Sequence, residues 1–475
     1  MPSSLHVRFT RKRVVINLSF ATAGKTLLCV LLAVAASLLP IPGLTPASRT
    51  CLVLFVGAAA LWITELIPAY ATSIIVMVLC VYLLGSPDGP LHLDPTGAES
   101  WEMFVNPVAS PVLVLFFGGL VLAQGATKHG FDVRLARAFI TPFGRRPSML
   151  LLGVLATTAL FSMFMSNTAT TAMMLAVTRP LVSQFEGRDG LRKSLALAVP
   201  FAANIGGMGT IIGTPPNAVA ASVLAAMGPQ YEISFLRWMM IGVPLVIVLL
   251  LILWGILLVS LKPGREPVDI KLPDVMEVTP GLAIVVLTFV TTILLWLTQP
   301  LHGLPSAVVA LLPIAVFFAF NILDRADLKS MDWDVMILVA GGLTLGVGLK
   351  ATGLSTCLVN LIPFDVMSTA LLLGVIMAVV VLLSNFMSHT AASNLMMPIA
   401  CSIAVLEPRI GAMAVALAAS LAMSLPVSTP PNAMAFATGE LKIREMAVHG
   451  TLVSLAGLTA VLALLMLCRP LILSR

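Results

Sequence analysis

The sequence predicts an all-α, polytopic membrane protein made of two related halves, and three observations carry that prediction. Of 475 residues, 59% are hydrophobic and only 10% charged, with a mean hydropathy of +1.04; a soluble domain carries about 25% charged residues to face water. Apolar runs long enough to cross a bilayer recur, among them "TLLCVLLAVAASLLPIP", "WMMIGVPLVIVLLLILWGILLVSL" and "GLAIVVLTFVTTILLWL". The chain also repeats itself in order. "GGLVLAQGATKHGF" at 118–131 matches "GGLTLGVGLKATGL" at 341–354, "FMSNTA" at 164–169 matches "FMSHTA" at 386–391, and "GTPPNAVA" at 213–220 matches "STPPNAMA" at 428–435. The offsets are 223, 222 and 215 residues, nearly constant.

Taken from the start, the chain opens with Arg8, Arg11, Lys12, Arg13 and Lys25. Excess Lys and Arg in short loops marks the cytoplasmic side, so the N-terminus is placed inside. The first apolar run lacks a cleavage site and reads as the first membrane helix rather than a signal peptide. Trp62-Ile63-Thr64-Glu65 falls near a cytoplasmic helix end. The stretch 86–102 carries only acids and is placed outside. Lys128, Arg134, Arg137, Arg145 and Arg146 return the chain inside, with Lys128 snorkelling at the interface beside His129. The net charge of +6 is thus a topology signal and not a nucleic-acid patch.

Residues 147–184 predict a re-entrant hairpin, because both flanks end in basic residues and each limb is short for a crossing. Its tip is Ser166-Asn167-Thr168. Unpaired backbone at membrane depth survives only where it lines a cavity or is buried in protein. Such a tip offers hydroxyls, an amide and carbonyls to a hard cation, and a helix N-terminus to an anion. Two prolines remove backbone donors, so Gly213-Thr214-Pro215-Pro216-Asn217 breaks the helix predicted over 194–227. Residues 1–261 form the first repeat and 262–280 a cytoplasmic linker. The second repeat, 281–475, has a hairpin at 363–400 and a broken helix at 410–438 interrupted at Ser428-Thr429-Pro430-Pro431-Asn432. The first "GG" segment runs outside to inside and the second inside to outside, so the repeats are inverted and the C-terminus falls outside. Inverted repeats with matching polar interruptions are a pattern of secondary transporters.

Other classes fit poorly. The six cysteines have no metal-like spacing and read as small buried hydrophobes. No Walker-type phosphate loop is present. Ser388-His389 pairs a hydroxyl with an imidazole, but sequence neighbours on a helix point in different directions. An anion channel is the remaining alternative, separable by its lack of counterflow.

With these phrases in place, the sequence resembles the divalent anion/sodium symporter family of sodium-coupled dicarboxylate, citrate and sulfate transporters. The motifs are "WITELIP" at 62–68, "FFGGLVLA…KHG" at 116–130, "SNTATTAMM" at 166–174, "GTPPNA" at 213–218, "DWDV…GG" at 332–342 and "STPPNA" at 428–433. The resemblance covers nearly the whole chain. It implies an elevator-type homodimer in the bacterial inner membrane, with about eleven spans and two re-entrant hairpins per protomer. It implies Na⁺ as the coupling ion, no organic cofactor, and a C4-dicarboxylate such as succinate, malate or fumarate as substrate. One Na⁺ would sit near Ser162, Ser166, Asn167 and Gly213, and a second near Ser384, Met387 and Ser428. The dianion would meet Asn167, Thr168, Thr214, Pro215, Thr390, Thr429 and Pro430. The departure is His389, which stands where the sodium-coupled pattern has Asn. Imidazole nitrogen suits Na⁺ poorly, since hard ions prefer oxygen. Protonated, His389 would itself supply positive charge; neutral, it would donate to a substrate carboxylate. Lower sodium stoichiometry follows, or exchange of one dicarboxylate for another, the plain alternative being that His389 only replaces the Asn hydrogen bond.

Overall fold

Proline and hydroxyl caps punctuate long apolar helices in the computed structural model, which describes residues 6–10, 13–17, 20–86, 101–183, 185, 187–268, 279–360 and 367–473. Among the described residues, seven helices are long and apolar enough to cross a membrane. They are Pro46–Thr64, Glu102–Lys128, Pro229–Leu261, Pro280–Leu297, Trp333–Ala351, Thr369–Phe386 and Ile443–Leu467. Shorter apolar helices lie between them, including Pro147–Ser162, Pro215–Met227 and Pro408–Ser420. The all-α prediction holds apart from one short antiparallel pair, His6–Thr10 with Arg13–Asn17, in register His6 to Asn17. Its β-branched residues (Val7, Val14, Val15, Ile16) favour strand, a signal masked in the sequence by the charge around it.

The polar phrases lie at helix ends. Helix Pro147–Ser162 stops, the chain turns through Met163–Ser166, and helix Asn167–Ser183 starts. In the second half, Thr369–Phe386 gives way to His389–Ser402 across Met387 and Ser388. Residues 363–366 of the expected second hairpin lie outside the described residues. Helix Asp189–Gly207 is interrupted until Pro215–Met227 begins, and Pro408–Ser420 until Pro430–Phe436 begins. Each hairpin's first limb backs onto a broken helix: Pro147–Ser162 packs on Asp189–Gly207, and Thr369–Phe386 on Pro408–Ser420.

The halves then cross over. Pro430–Phe436 packs against Asn167–Ser183 and Asp189–Gly207, while Pro215–Met227 packs against His389–Ser402 and Pro408–Ser420. Two ion pairs tie the halves at the base of this body, Arg192 to Glu440 at 2.8 Å and Lys193 to Glu445 at 2.8 Å. Trp333–Ala351 packs on His389–Ser402 and Pro215–Met227, and the helix ending at Lys128 packs on Pro215–Met227. Ala69–Cys80 lies against Trp333–Ala351, Pro280–Leu297 and Leu311–Ala319 lie against the helix ending at Lys128, and Pro46–Thr64 lies against Ala69–Cys80. The repeated "GG" phrase has a packing cause here. A Cβ on Gly118 would lie 2.6 Å from the Ala310 carbonyl oxygen, and one on Gly341 would lie 2.3 Å from Ser73 Cβ. Lys128 does not merely snorkel: its ammonium pairs with Asp324 at 3.1 Å and with Asp327. Glu65 ends its helix in the left-handed region at φ 48°. All six cysteines are free, and Cys29, Cys51, Cys80 and Cys401 are buried.

Candidate functional site

At the first tip, a hydroxyl, a side-chain amide and two backbone carbonyls converge within hydrogen-bond distance of one another. Ser162, fully buried, places its Oγ 2.7 Å from the Ala203 carbonyl oxygen and 2.7 Å from Asn167 Oδ1. One hydroxyl proton serves only one of these contacts. The Asn167 amide atom in this position also lies 3.2 Å from each of the Gly213 and Ala203 carbonyl oxygens. With Nδ2 turned inward the amide donates to these oxygens. With Oδ1 inward and Nδ2 donating to Asn204 Oδ1 at 3.3 Å, four oxygens face one another. That orientation gives a cation four oxygen ligands, whereas the inward Nδ2 satisfies the same oxygens by itself.

The sequence builds this close approach. A Cβ on Gly207 would fall 2.6 Å from Asn167 Oδ1. Thr210 fixes the loop by donating to the Met163 carbonyl and accepting from Gly213 N–H at 3.0 Å. Asn217 pins the interruption, its Nδ2 donating to the carbonyls of Gly207 at 2.9 Å and Thr210 at 2.8 Å. Ser166 caps its helix, Oγ accepting from Ala169 N–H at 3.2 Å, and Thr168 is exposed.

At the second tip the matching positions are hydrogen-bonded, with Ser384 the exception. His389 Nε2 lies 2.9 Å from the Ala422 carbonyl oxygen; a carbonyl only accepts, so Nε2 carries a proton and donates. Ser428 Oγ donates toward Asn385 Oδ1 at 3.1 Å and accepts from Leu425 N–H at 3.1 Å. Asn385 Oδ1 also accepts from Ser424 N–H at 3.1 Å. Asn432 pins this break as Asn217 pins the first, donating to the carbonyls of Met423 and Leu425, each at 3.0 Å. Ser384 is fully buried, and its Oγ has no partner among the described residues. Met387 is buried and extended, at φ −137° and ψ 169°.

Thr429 Oγ1 caps the helix Pro430–Phe436, accepting from Asn432 N–H at 3.2 Å. Pro430 is exposed and Pro215 half-buried. Asn204 joins the first tip to this cap. Its Nδ2 donates to Thr429 Oγ1 at 3.5 Å and to Asn432 Oδ1 at 3.4 Å, while its Oδ1 accepts from Asn167. The structure therefore links Ser162, Asn167 and, through Asn204, Thr429, with the Gly213 carbonyl 3.2 Å from the Asn167 amide. Thr214 and Thr390 are buried but no hydrogen bond ties their side chains to it among the described residues. Asn204, Asn217, Asn385 and Asn432 are the residues that sequence reasoning passed over as contributors.

The donor set is chemically narrow. No cluster of three or more His, Cys, Asp or Glu occurs among the described residues; hydroxyl, amide and carbonyl oxygens are ligands for hard cations. Helix starts at Asn167 and His389 present N–H groups and a positive dipole end to an anion, while the start at Pro215-Pro216 offers the dipole alone. A separate cavity of 740 Å³, lined by Ile211, Arg237, Gln299 and Arg409 among others, includes none of the expected site residues.

Comparison with known proteins settles the class. Residues 59–418 match the citrate transporter family. The chain belongs to that family. It is 30% identical over 413 residues to the sodium-dependent dicarboxylate transporter SdcS of Staphylococcus saprophyticus, covering 78% of this chain and 79% of the relative. The SdcS protein of Staphylococcus aureus strain USA300 is 31% identical over 425 residues, 81% of each chain. An uncharacterized transporter of Haemophilus influenzae is 31% identical over 388 residues, 77% of this chain and 83% of its own. The resemblance to divalent anion/sodium symporters read from the motifs therefore holds. In fold, this family member is similar to the YdaH transporter of Alcanivorax borkumensis, with TM-score 0.56 at 13% identity over 88% of this chain and 98% of that one. It is also similar to MtrF of Neisseria gonorrhoeae, with TM-score 0.55 at 14% identity over 86% and 96%. The protein is an integral, multi-pass membrane transporter and not an enzyme.

Proposed function

We propose that this protein carries C4-dicarboxylates such as succinate, malate or fumarate across a bacterial inner membrane, coupled to Na⁺ at the first tip. The observation that carries the reading is the convergence of the Ser162 hydroxyl, the Asn167 amide and the Ala203 and Gly213 carbonyls, linked through Asn204 to the Thr429 cap. A cation there supplies positive charge for a dianion bound between the tips. The dianion meets Asn167, Thr168, Thr214, Pro215, His389, Thr390, Thr429 and Pro430. Relatives named as sodium-dependent dicarboxylate transporters support both ion and substrate. In this reading the halves are inverted repeats, and the hairpins and broken helices move as one body in an elevator step. The surrounding helices stay fixed in a homodimer, with the N-terminus cytoplasmic and the C-terminus outside. Uptake of labelled succinate into proteoliposomes, with and without an inward Na⁺ gradient, tests it. Saturable, Na⁺-stimulated uptake with counterflow is expected; flux that follows the gradient without saturation overturns the carrier reading in favour of a channel.

A second reading within the same class is exchange of one dicarboxylate for another, and the bond from His389 Nε2 to Ala422 favours it. That donor occupies the second tip, leaving Ser384, Met387 and Ser428 a poorer cation set than the first. Uptake driven only by internal unlabelled dicarboxylate, with no sodium gradient, supports exchange and excludes obligatory symport.

A further inference from the structure

We propose that Asn204 is a positioning residue that relays cation occupancy at the first tip to the anion-binding face of the second half, by reversing the polarity of an amide chain. The proposal rests on the reading above, in which a cation and a dianion share the site, and goes further by naming what couples them.

The chain runs Asn167, Asn204, Thr429 and Asn432. Its last member cannot turn, because Asn432 Nδ2 already donates to two carbonyls at 3.0 Å. Its Oδ1 therefore always faces Asn204 as an acceptor. With a cation in the cluster, Asn167 turns Oδ1 inward and Nδ2 toward Asn204 Oδ1. Asn204 then presents Nδ2 to Asn432 Oδ1 and Thr429 Oγ1. Thr429 Oγ1 accepts from Asn204 and from Asn432 N–H, so its own proton is free to donate to a carboxylate.

Without the cation, Asn167 turns Nδ2 inward, where it donates to the Gly213 and Ala203 carbonyls. Its Oδ1 then faces Asn204 and needs a donor. Asn204 must turn to supply one, which sets its Oδ1 against the fixed Asn432 Oδ1. Two acceptors facing each other while fully buried are unfavourable, and Asn204 and Asn432 are both fully buried. The Thr429 hydroxyl is the one group here able to turn a proton toward Asn204 Oδ1, and that proton is then lost to the anion. Cation and carboxylate affinities rise and fall together, as reciprocity of linkage requires.

The other half has no such chain. By the 215-residue offset of the break phrases, the counterpart of Asn204 is Ala419. The counterpart of the Asn432 oxygen, Asn217 Oδ1, is buried without a partner among the described residues. The relay is confined to the tip where the Ser162, Asn167, Ala203 and Gly213 groups converge.

The test measures Na⁺ binding and succinate binding separately, on the purified full-length protein. Thermal shift reads Na⁺ alone, and calorimetry reads the succinate Kd in sodium and in choline chloride. In the wild type, Na⁺ should tighten succinate by a factor within the range of about 5–150 that such couplings span. Asn204→Leu should still show a Na⁺ thermal shift, but the tightening factor should drop below about 3. Asn204→Asp keeps the shape yet offers only acceptors at both ends. It should bind Na⁺ at least as well, and hold succinate weakly and with no response to Na⁺. If Asn204→Leu does not fold, the isosteric Asp variant decides. Either variant showing Na⁺ binding with the full tightening factor overturns the relay while leaving the proposed function standing. A wild type that shows no Na⁺ shift and no effect of Na⁺ on succinate overturns the functional reading, and the relay with it.

Discussion

The two tips share a frame, "S-x-F-M-S-x-T-A", and differ at two internal letters: Met163 against Asn385, and Asn167 against His389. In the first tip, the cross-link to the break is made by the break's own hydroxyl, Thr210 donating to the Met163 backbone. In the second, the tip supplies the side chain, Asn385 accepting from Ser428 Oγ and Ser424 N–H. The same mechanical join is thus made with the polar group on opposite partners. The second difference is not compensated in this way. Asn167 can turn either its oxygen or its Nδ2 toward the Ser162, Ala203 and Gly213 oxygens, whereas His389 Nε2 only donates, to the Ala422 carbonyl. Duplicated architecture can therefore keep its mechanics while its chemistry diverges at one position.

Four experiments would break or sharpen this contrast. The largest effect is expected for Asn167→Ala set against Ser384→Ala. A polar group lost opposite a charge costs about 1.5–3 kcal/mol, or roughly 10- to 150-fold in Na⁺ affinity. Ser384→Ala should leave that affinity within about threefold, since its hydroxyl has no bond to lose. Isothermal titration with NaCl compares them; equal losses would end the claim that the tips differ. Next comes Gly207→Ala, whose methyl would lie 2.6 Å from Asn167 Oδ1. Displacing that oxygen should weaken Na⁺ by about tenfold, the equivalent of 1.4 kcal/mol. Ala422, the matched residue by the 215-residue offset, should accept glycine with little change in Na⁺ titration.

A smaller change is expected from His389→Asn, which converts the second tip to the wording of the first. Sodium dependence of succinate uptake should rise and steepen; identical Na⁺ and pH profiles would show that the imidazole is only a substitute hydrogen-bond donor. The smallest contrast concerns stability. Removing Asn217 or Asn432 strands two carbonyls, at about 1–3 kcal/mol for each unsatisfied group. Asn432→Leu should be the more damaging by about 1 kcal/mol, because Asn432 Oδ1 also accepts from Asn204 while Asn217 Oδ1 is unpartnered among the described residues. Thermal melts of the two variants check the order, and the reverse order would remove the structural basis of the asymmetry.

The fold class and the four polar interruptions were legible because polar letters stand out against apolar sequence, and because each appears twice. That same method hid Asn204. It sits within "FAANIGG" and its counterpart is Ala419, so a search for repeats passes over it. The work of Asn217 and Asn432 was invisible for a different reason. "PPN" announces a broken helix through its prolines, but which carbonyls the break exposes, and so what the amide can reach, depends on the loop's three-dimensional path. Lys128 was misjudged because its partners, Asp324 and Asp327, lie nearly two hundred residues away. Ser166 matches the expected cation set by sequence, yet its hydroxyl caps a helix. A serine before a helix always presents that competing use.

The ion pairs from Arg192 to Glu440 and Lys193 to Glu445 join residues about 250 positions apart. Contacts so distant in the chain carry a large loop-closure cost and form late. As the polypeptide emerges, the first hairpin and its broken helix therefore stand in place before their partners Glu440 and Glu445 have been made. The crossed body needs the helix Ile443–Leu467, which carries Glu445. The first half's hairpin and broken helix are thus held by acidic groups that belong to the second half, so the body is completed only across the repeat boundary.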